Sequence, residues 1–191
     1  MTDDVLGRQL LAVARHAIAS ELAFEAVAPD TDGALLRPGA TFVTLMCAGE
    51  LRGCIGSLRA TRAVGVDVRE NALAAAFRDP RFPPLGKTEF AALSIEVSLL
   101  SAPRKAWFAS EAELCARLVP FVDGVALELG GRHATFLPQV WETIPEPKAF
   151  LAALKAKAEL PADFWSAHLN ISLYGVTKWK ESEFGEAQLP S

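Results

Sequence analysis

The stretch LRGCIGS occupies Leu51–Ser57 and places Cys54 between Gly53 and Gly56, directly after a predicted tight turn. Because glycine has no side chain, another molecule or another part of the backbone can approach the sulfur closely. Arg52 precedes Cys54 by two positions, so in a strand both side chains project from the same face. A neighbouring guanidinium favours the thiolate over the thiol. The stretch therefore predicts a candidate site at Cys54.

Two β-compatible runs surround this stretch and predict a hairpin. They are Thr41–Ala48 and Leu51–Leu58, and Gly49-Glu50 between them suits a two-residue type II′ turn. The resulting register places four side chains on one face: Leu45, Cys47, Arg52 and Cys54. The other face, expected to be core, carries Phe42, Met46, Leu51 and Ile55. Cys47 would then lie diagonally from Cys54, as a resolving thiol or as a small buried residue.

The rest of the chain doubles this layout, in the order helix, hairpin, helix, strand, helix, hairpin, helix, strand. Apolar periodicity with Gly and Pro breaks predicts helices at Val5–Phe24, Thr61–Phe77, Ala109–Leu118 and Pro147–Ala158. Strands are predicted at Leu93–Ser101 and Ile171–Trp179, and a second hairpin at Gly124–Leu129 and Arg132–Leu137. Its Gly130-Gly131 turn pairs Glu128 with His133.

Hairpins imply mainly antiparallel sheets, so this order predicts an α+β fold and argues against a doubly wound parallel sheet. The layout corresponds to two repeats after an extra N-terminal helix. No Gly/Ser-rich or Pro-rich linker separates the halves. We expect residues 1–191 to form a single domain, either one compact unit or two intimately joined subdomains.

Composition restricts the functional classes. The chain has 191 residues, 51% of them apolar, and a mean hydropathy of +0.22, which indicates a well-packed globule. Three cysteines are an odd and sparse set, which favours reduced thiols in a cytoplasmic protein. A net charge of −4 and an absence of long apolar runs argue against nucleic-acid binding and membrane insertion.

Further polar residues are candidates for the same site. Arg78, Asp79 and Arg81 cluster in a stiff loop that ends the second helix, where they are either anion ligands or partners of one another. Glu96 interrupts an apolar strand and is either a proton carrier or a carboxylate satisfied by its neighbours. His133 opposite Glu128 is either an oriented general base or half of an exposed cross-strand pair.

Metal and cofactor motifs are absent from the sequence. It contains no CxxC, HxH or HExxH spacing, and Cys47 with Cys54 cannot supply four zinc ligands. It also lacks GxGxxG, GxxxxGK and GxSxG. We therefore expect no metal site and no bound cofactor.

Five segments, in this order and spacing, resemble the AMMECR domain family along nearly the whole chain. They read LRGCIGSL, AFRDPRFPPL, LSIEVSLLS, ATFLPQVWE and FLAALKAKAELP. The resemblance implies an α+β fold of two β-β-β-α-β-like repeats, with a cleft near the hexapeptide Leu51–Gly56. Bacterial members look like protein A of AmmeMemoRadiSam systems, which implies a Memo-like protein and a radical-SAM protein as partners. The resemblance supplies no activity.

Two functional hypotheses follow. In the first, the protein is a cysteine-dependent enzyme or enzyme subunit acting on a small anionic molecule, with Cys54 as the reactive group and Glu96 or His133 moving protons. Arg52 and Arg81 would bind the anion. In the second, the protein is a non-catalytic adaptor whose glycine-rich hairpin docks a Memo-like or radical-SAM partner. Cys54 would then contribute only shape.

Overall fold

A computed structural model of the chain describes residues 2–30, 33–166 and 168–184, and its fold is α+β, as predicted. The helices are α1 (Thr2–Glu21), α2 (Val64–Phe77), α3 (Lys87–Phe90), α4 (Glu111–Arg117) and α5 (Pro147–Lys157). The strands are β1 (Pro38–Cys47), β2 (Glu50–Gly56), β3 (Arg62–Ala63), β4 (Leu93–Leu100), β5 (Arg104–Ala106), β6 (Gly124–Leu129), β7 (Arg132–Phe136), β8 (Asn170–Tyr174) and β9 (Val176–Lys180). Short 3-10 helices cover Gly33–Leu36, Pro138–Glu142 and Glu181–Glu183.

The chain divides into two compact units. The first comprises residues 1–100 and 177–191, and the second comprises residues 101–176. Each contains one sheet with its own buried apolar cluster. Of the helices that the structure describes, none has both the length and the apolar character needed to cross a membrane.

In the first unit the strand order is β2-β1-β4-β9, and β3 pairs with β1. Alternate side chains of β1 and β4 are fully buried on one face of this sheet: Val43, Leu45, Ile95 and Val97. Helices α1 and α2 pack on that face, since their apolar stripes belong to the same buried cluster. The opposite face therefore carries the intervening residues, among them Thr44 and Glu96, which the register pairs with one another.

In the second unit the strand order is β5-β8-β6-β7, with antiparallel pairing throughout. Its core contains Trp141 and Phe150, whose stacked rings have centroids 3.8 Å apart. The predicted register of the second hairpin is confirmed, with Glu128 opposite His133. Its turn residues Gly130 and Gly131 both have positive φ, as a two-residue turn of this kind requires.

The predicted register of the first hairpin is wrong. The turn residues are Ala48 and Gly49, with φ of +51° and +83°, so Cys47 pairs with Glu50. A register shift between Leu45 and Met46 then makes Arg52 the extra residue of a bulge.

As a result Cys54 pairs with Thr44 and not with Leu45. Phe42 and Met46 lie on the face away from the helices, and Leu51 is exposed, so these three are not core residues. Ile55 does pack against the core, as predicted. Cys47 falls on the opposite face of β1 from Thr44, which removes the geometric argument for a resolving thiol.

The predicted final strand, Ile171–Trp179, is two strands that belong to different sheets. Gly175 separates them, and its N–H and C=O groups are bonded to the Ser101 side chain and backbone N–H, each at 2.9 Å. At this residue the chain passes from β8 of the second sheet to β9 of the first. The helix predicted from Thr61 begins only at Val64, because Arg62–Ala63 form strand β3. The segments β5 and α3 were not predicted, because each is only three or four residues long.

Candidate functional site

Cys54 lies on the edge strand of the first sheet with its side chain partly exposed. Its backbone N–H and C=O are bonded to side chains outside the sheet, so the pair it forms with Thr44 is of the non-hydrogen-bonded kind. Opposing side chains approach closely in such pairs. Accordingly the Thr44 hydroxyl donates a hydrogen bond to Cys54 Sγ at 3.3 Å.

The loop after α2 closes the open edge of β2 at Cys54. Asp79 Oδ2 accepts a hydrogen bond from the Cys54 N–H at 2.9 Å, and Arg81 Nη2 donates to the Cys54 carbonyl at 3.1 Å. A carboxylate and a guanidinium thus occupy the position that the next strand of the sheet would otherwise take. Of the three loop residues proposed for the Cys54 site, Asp79 and Arg81 therefore contact Cys54 directly.

Asp79 and Arg81 also bind one another. Arg81 Nη2 lies 2.6 Å from Asp79 Oδ2, and Arg81 Nε lies 2.9 Å from Asp79 Oδ1. Asp79 is only 3% exposed, and the Arg81 hydrogen bond is the main cause that holds the pKa of this carboxyl well below its usual range. The Arg81 pKa is raised, chiefly by Asp79 and to a smaller extent by Cys54. Arg81 consequently remains a cation beside the thiol.

Arg52 is held by a second carboxylate. Its Nε and Nη2 atoms bind the two Glu89 oxygens at 2.7 and 3.1 Å, and the Gly86 N–H also donates to Glu89 at 2.9 Å. The pKa of Glu89 is lowered, first by Arg52 and next by this N–H, and the Arg52 pKa is raised by Glu89. The remaining nitrogen, Arg52 Nη1, is buried without a hydrogen-bond partner among the described residues.

The two glycines of the hexapeptide serve internal packing. A Cβ at Gly53 would lie 2.2 Å from the Ala75 carbonyl oxygen, so β2 touches the backbone of α2 there. A Cβ at Gly56 would lie 2.2 Å from the ring of Phe42. The sequence left open whether the glycines admit another molecule or another part of the protein. These contacts support close approach of the protein's own groups.

Glu96 lies on the same sheet face as Cys54, one strand beyond Thr44. Lys178 and Lys180 of β9 flank its carboxylate, with N–O distances of 3.6 and 3.5 Å. Across β2, β1, β4 and β9 this face therefore carries, in turn, the Cys54 thiol, the Thr44 hydroxyl, the Glu96 carboxylate and the two lysine ammonium groups. Two lysines therefore balance the charge of Glu96.

Two predicted site residues have other surroundings. Arg78 directs its guanidinium to Glu70, at 3.4 Å from the backbone oxygen and 3.8 Å from the carboxylate. His133 belongs to the second unit, where it is exposed and pairs with Glu128 across the strands. Arg78 thus binds Glu70, whereas Arg81, three residues later in the same loop, binds the Cys54 backbone.

Sequence reasoning missed Thr44, Glu89 and the two lysines of β9. The wrong register did not place Thr44 opposite Cys54, because one bulge moves every later residue of β2 to a new partner. Glu89 is 37 positions from Arg52, and nothing local marks the pair. The alternation of Lys178 and Lys180 around buried Trp179 was a usable signal for a polar face.

Metal ligation has no support in the described part of the chain. There, no three or more His, Cys, Asp or Glu side chains are grouped so that they could hold a metal ion. The carboxylates nearest Cys54 are occupied by arginine and backbone N–H groups.

Comparison with known proteins identifies the family. The AMMECR1 family model matches residues 11–179. Protein Mbar_A1807 of Methanosarcina barkeri is 34% identical over 190 residues, covering 96% of this chain and 94% of the relative. Protein LS215_2104 of Saccharolobus islandicus is 35% identical over 168 residues, covering 84% and 74% respectively. The crystal structure of uncharacterized protein PH0010 from Pyrococcus horikoshii is similar with a TM-score of 0.76 and 30% identity, covering 92% of this chain and 91% of that one. The chain belongs to the AMMECR1 family.

Proposed function

We propose that the protein is a thiol-dependent enzyme, or a subunit of one, that acts on a small anionic molecule with Cys54 as the nucleophile. The observation that carries the proposal is the hydrogen bond from the Thr44 hydroxyl to the partly exposed Cys54 sulfur. The adjacent Arg81 guanidinium adds positive charge. Both groups favour the thiolate, which is the reactive form of cysteine.

Glu96 is the proton carrier in this proposal. It shares a sheet face with Cys54, and Thr44 lies between them in the register. Lys178 and Lys180 contribute two positive charges against one carboxylate at this end of the face. This excess, together with Arg81, supports an anionic substrate.

The test measures alkylation of Cys54 by mass spectrometry in the full chain. Thr44→Val, which removes the hydroxyl, is expected to slow iodoacetamide labelling about three- to ten-fold, whereas Thr44→Ser should keep the wild-type rate. Cys115 is an internal reference, because burial raises its pKa and it is remote from Thr44 in the chain. Equal Cys54 rates in all three proteins would overturn the activated-thiol argument.

A second pair of reagents tests the preference for anions. Iodoacetate and iodoacetamide differ in charge but react by the same chemistry, so their rate ratio at Cys54 reports the local field. Arg81→Gln should lower this ratio about five-fold, and Arg78→Gln, an exposed arginine of the same loop, should leave it unchanged. An equal response to both substitutions would argue against a specific anion site.

A docking function is the second candidate. Leu51, the first residue of the hexapeptide, and Leu58, two residues after its end, are 41% and 47% exposed, although both are large apolar residues. Arg52 and Arg81 already bind carboxylates, which reduces their capacity for a free anion. These features suit a surface for a Memo-like or radical-SAM partner.

The two candidates differ in which substitution abolishes function. If the protein is an adaptor, the double variant Leu51→Gln/Leu58→Gln should lose co-purification with a Memo-like or radical-SAM protein, and Cys54→Ser should retain it. Loss of the complex in folded Cys54→Ser, with retention in the double variant, would contradict the docking role.

A further inference from the structure

The second unit contains a cavity of about 250 Å³ beside the turn of the β6–β7 hairpin and the end of α5. Three of its lining side chains can carry positive charge, namely Arg132, His133 and Lys157, and one, Glu159, is acidic. The cavity lies entirely within the second unit, and of the residues that the sequence assigned to the Cys54 site only His133 lines it. It therefore requires its own explanation.

Each of the two permanent cations of this cavity donates to a backbone carbonyl oxygen, and neither is paired with a carboxylate among the described residues. Arg132 Nη1 donates to the Glu159 carbonyl oxygen at 2.9 Å, and Lys157 Nζ donates to the Thr135 carbonyl oxygen at 3.1 Å. The Lys157 ammonium also lies 5.1 Å from the centre of the Phe136 ring. Carbonyl oxygens and a ring orient a cation but leave its net charge in place.

This arrangement differs from that of Arg52 and Arg81. Those two guanidiniums each bind a carboxylate in two places, whereas neither Arg132 nor Lys157 forms an ion pair with any carboxylate among the described residues. Glu159 lines the cavity, and Glu128 faces His133 across the strands, so the negative charges nearby are two. The cavity lining itself carries two permanent positive charges against one negative charge.

We infer that this cavity binds the phosphate group of a small phosphorylated molecule. A guanidinium offers several N–H donors in a plane that matches phosphate oxygens, and an ammonium adds a compact charge. His133 also lines the cavity and adds a ring N–H donor. The volume is below the usual range for cofactor pockets, which favours a small ligand over a dinucleotide. The inference is independent of any chemistry at Cys54.

The experiment titrates the full chain with inorganic phosphate at low ionic strength, by calorimetry and by amide chemical shifts of the Gly130-Gly131 turn. Arg132→Gln and Lys157→Gln should each weaken binding about five-fold or more, because each removes one uncompensated charge. Lys148→Gln removes an exposed lysine from the same helix outside the cavity lining and should change the affinity less than two-fold.

Glu159→Gln provides a result that misfolding cannot imitate. Removing the acidic side chain of the cavity should tighten phosphate binding about two- to five-fold, while the Arg132 contact to the Glu159 backbone is kept. Acetate should bind more weakly than phosphate. Absence of saturable phosphate binding by the wild type, or equal losses in Lys148→Gln and Lys157→Gln, would overturn the inference. Binding of a nucleic acid with no response to free phosphate would also overturn it.

Discussion

Replacement of Gly53 by alanine tests whether the hexapeptide glycine serves packing. The new Cβ would lie 2.2 Å from the Ala75 carbonyl oxygen and 3.0 Å from the Ala75 carbonyl carbon. Both atoms belong to the backbone of α2, so no flexible side chain can move aside. Forced contacts of this kind lower the free energy of unfolding by about 1–3 kcal/mol. Because the backbones of both β2 and α2 are rigid here, we expect a cost of about 3 kcal/mol.

The unfolded state partly offsets this cost. Alanine has less conformational freedom than glycine when unfolded, which favours folding by about 0.4–1 kcal/mol. We therefore expect Gly53→Ala to lower the free energy of unfolding by about 2–2.5 kcal/mol, equivalent to a fall in Tm of about 4–10 °C. Urea denaturation followed by far-UV circular dichroism, with thermal melts in parallel, measures both quantities.

Gly175→Ala is the matched control, because nothing lies within 4 Å of a Cβ at this position and its φ is not in the positive range. Its effect should remain within about 0.5 kcal/mol. If the two substitutions change stability equally, the contact between β2 and α2 does not explain Gly53. A stable Gly53→Ala protein that has lost Cys54 reactivity would instead support the earlier alternative, in which glycine leaves room for another molecule.

Two further predictions concern buried carboxylates. Asp79→Asn should lower the free energy of unfolding at pH 7, and this difference from wild type should shrink as the pH falls below about 4. The reason is that a carboxyl whose folded pKa is lowered stabilises the fold only while it is ionised. Urea denaturation at several pH values measures the difference, and a difference independent of pH would contradict the prediction. Glu181→Gln should cost about 1.5–3 kcal/mol, since Glu181 binds Arg15 through both oxygens and accepts the Ile95 N–H at 2.8 Å. A melting temperature equal to that of wild type would show that these contacts are dispensable.

The parts of the fold that local patterns govern were predictable. The second hairpin follows from Gly130-Gly131, because two adjacent glycines in a two-residue loop fix both the turn and the register. The Ser110 cap of α4 was likewise readable, and its hydroxyl accepts the Glu113 N–H at 3.2 Å. In both cases the deciding residues lie within a few positions of one another.

The first hairpin was not predictable by the same reasoning. Ala48 adopts a positive φ that alanine rarely takes, so the turn begins one residue earlier than Gly49-Glu50 suggests. The bulge at Arg52 then depends on tertiary partners, with Glu89 binding the side chain from α3. Cys54, Asp79 and Arg81, which the sequence motifs identified, do lie together in space. The sheet face on which Cys54 lies, however, is set by this bulge.

The sequence assigns two roles to Arg52 and Arg81, namely support of the Cys54 thiol and binding of an anion. The structure separates these two roles. One segment, from Asp79 to Glu89, supplies both carboxylates that bind Arg52 and Arg81. These pairs hold the edge strand and its thiol in a fixed geometry, because the Asp79–Arg81 pair also bonds both backbone groups of Cys54. Charge used in this way is no longer fully available to a ligand. An anion bound beside Cys54 would therefore compete with Asp79 for Arg81, whereas Arg132 and Lys157 in the second unit bind no carboxylate among the described residues.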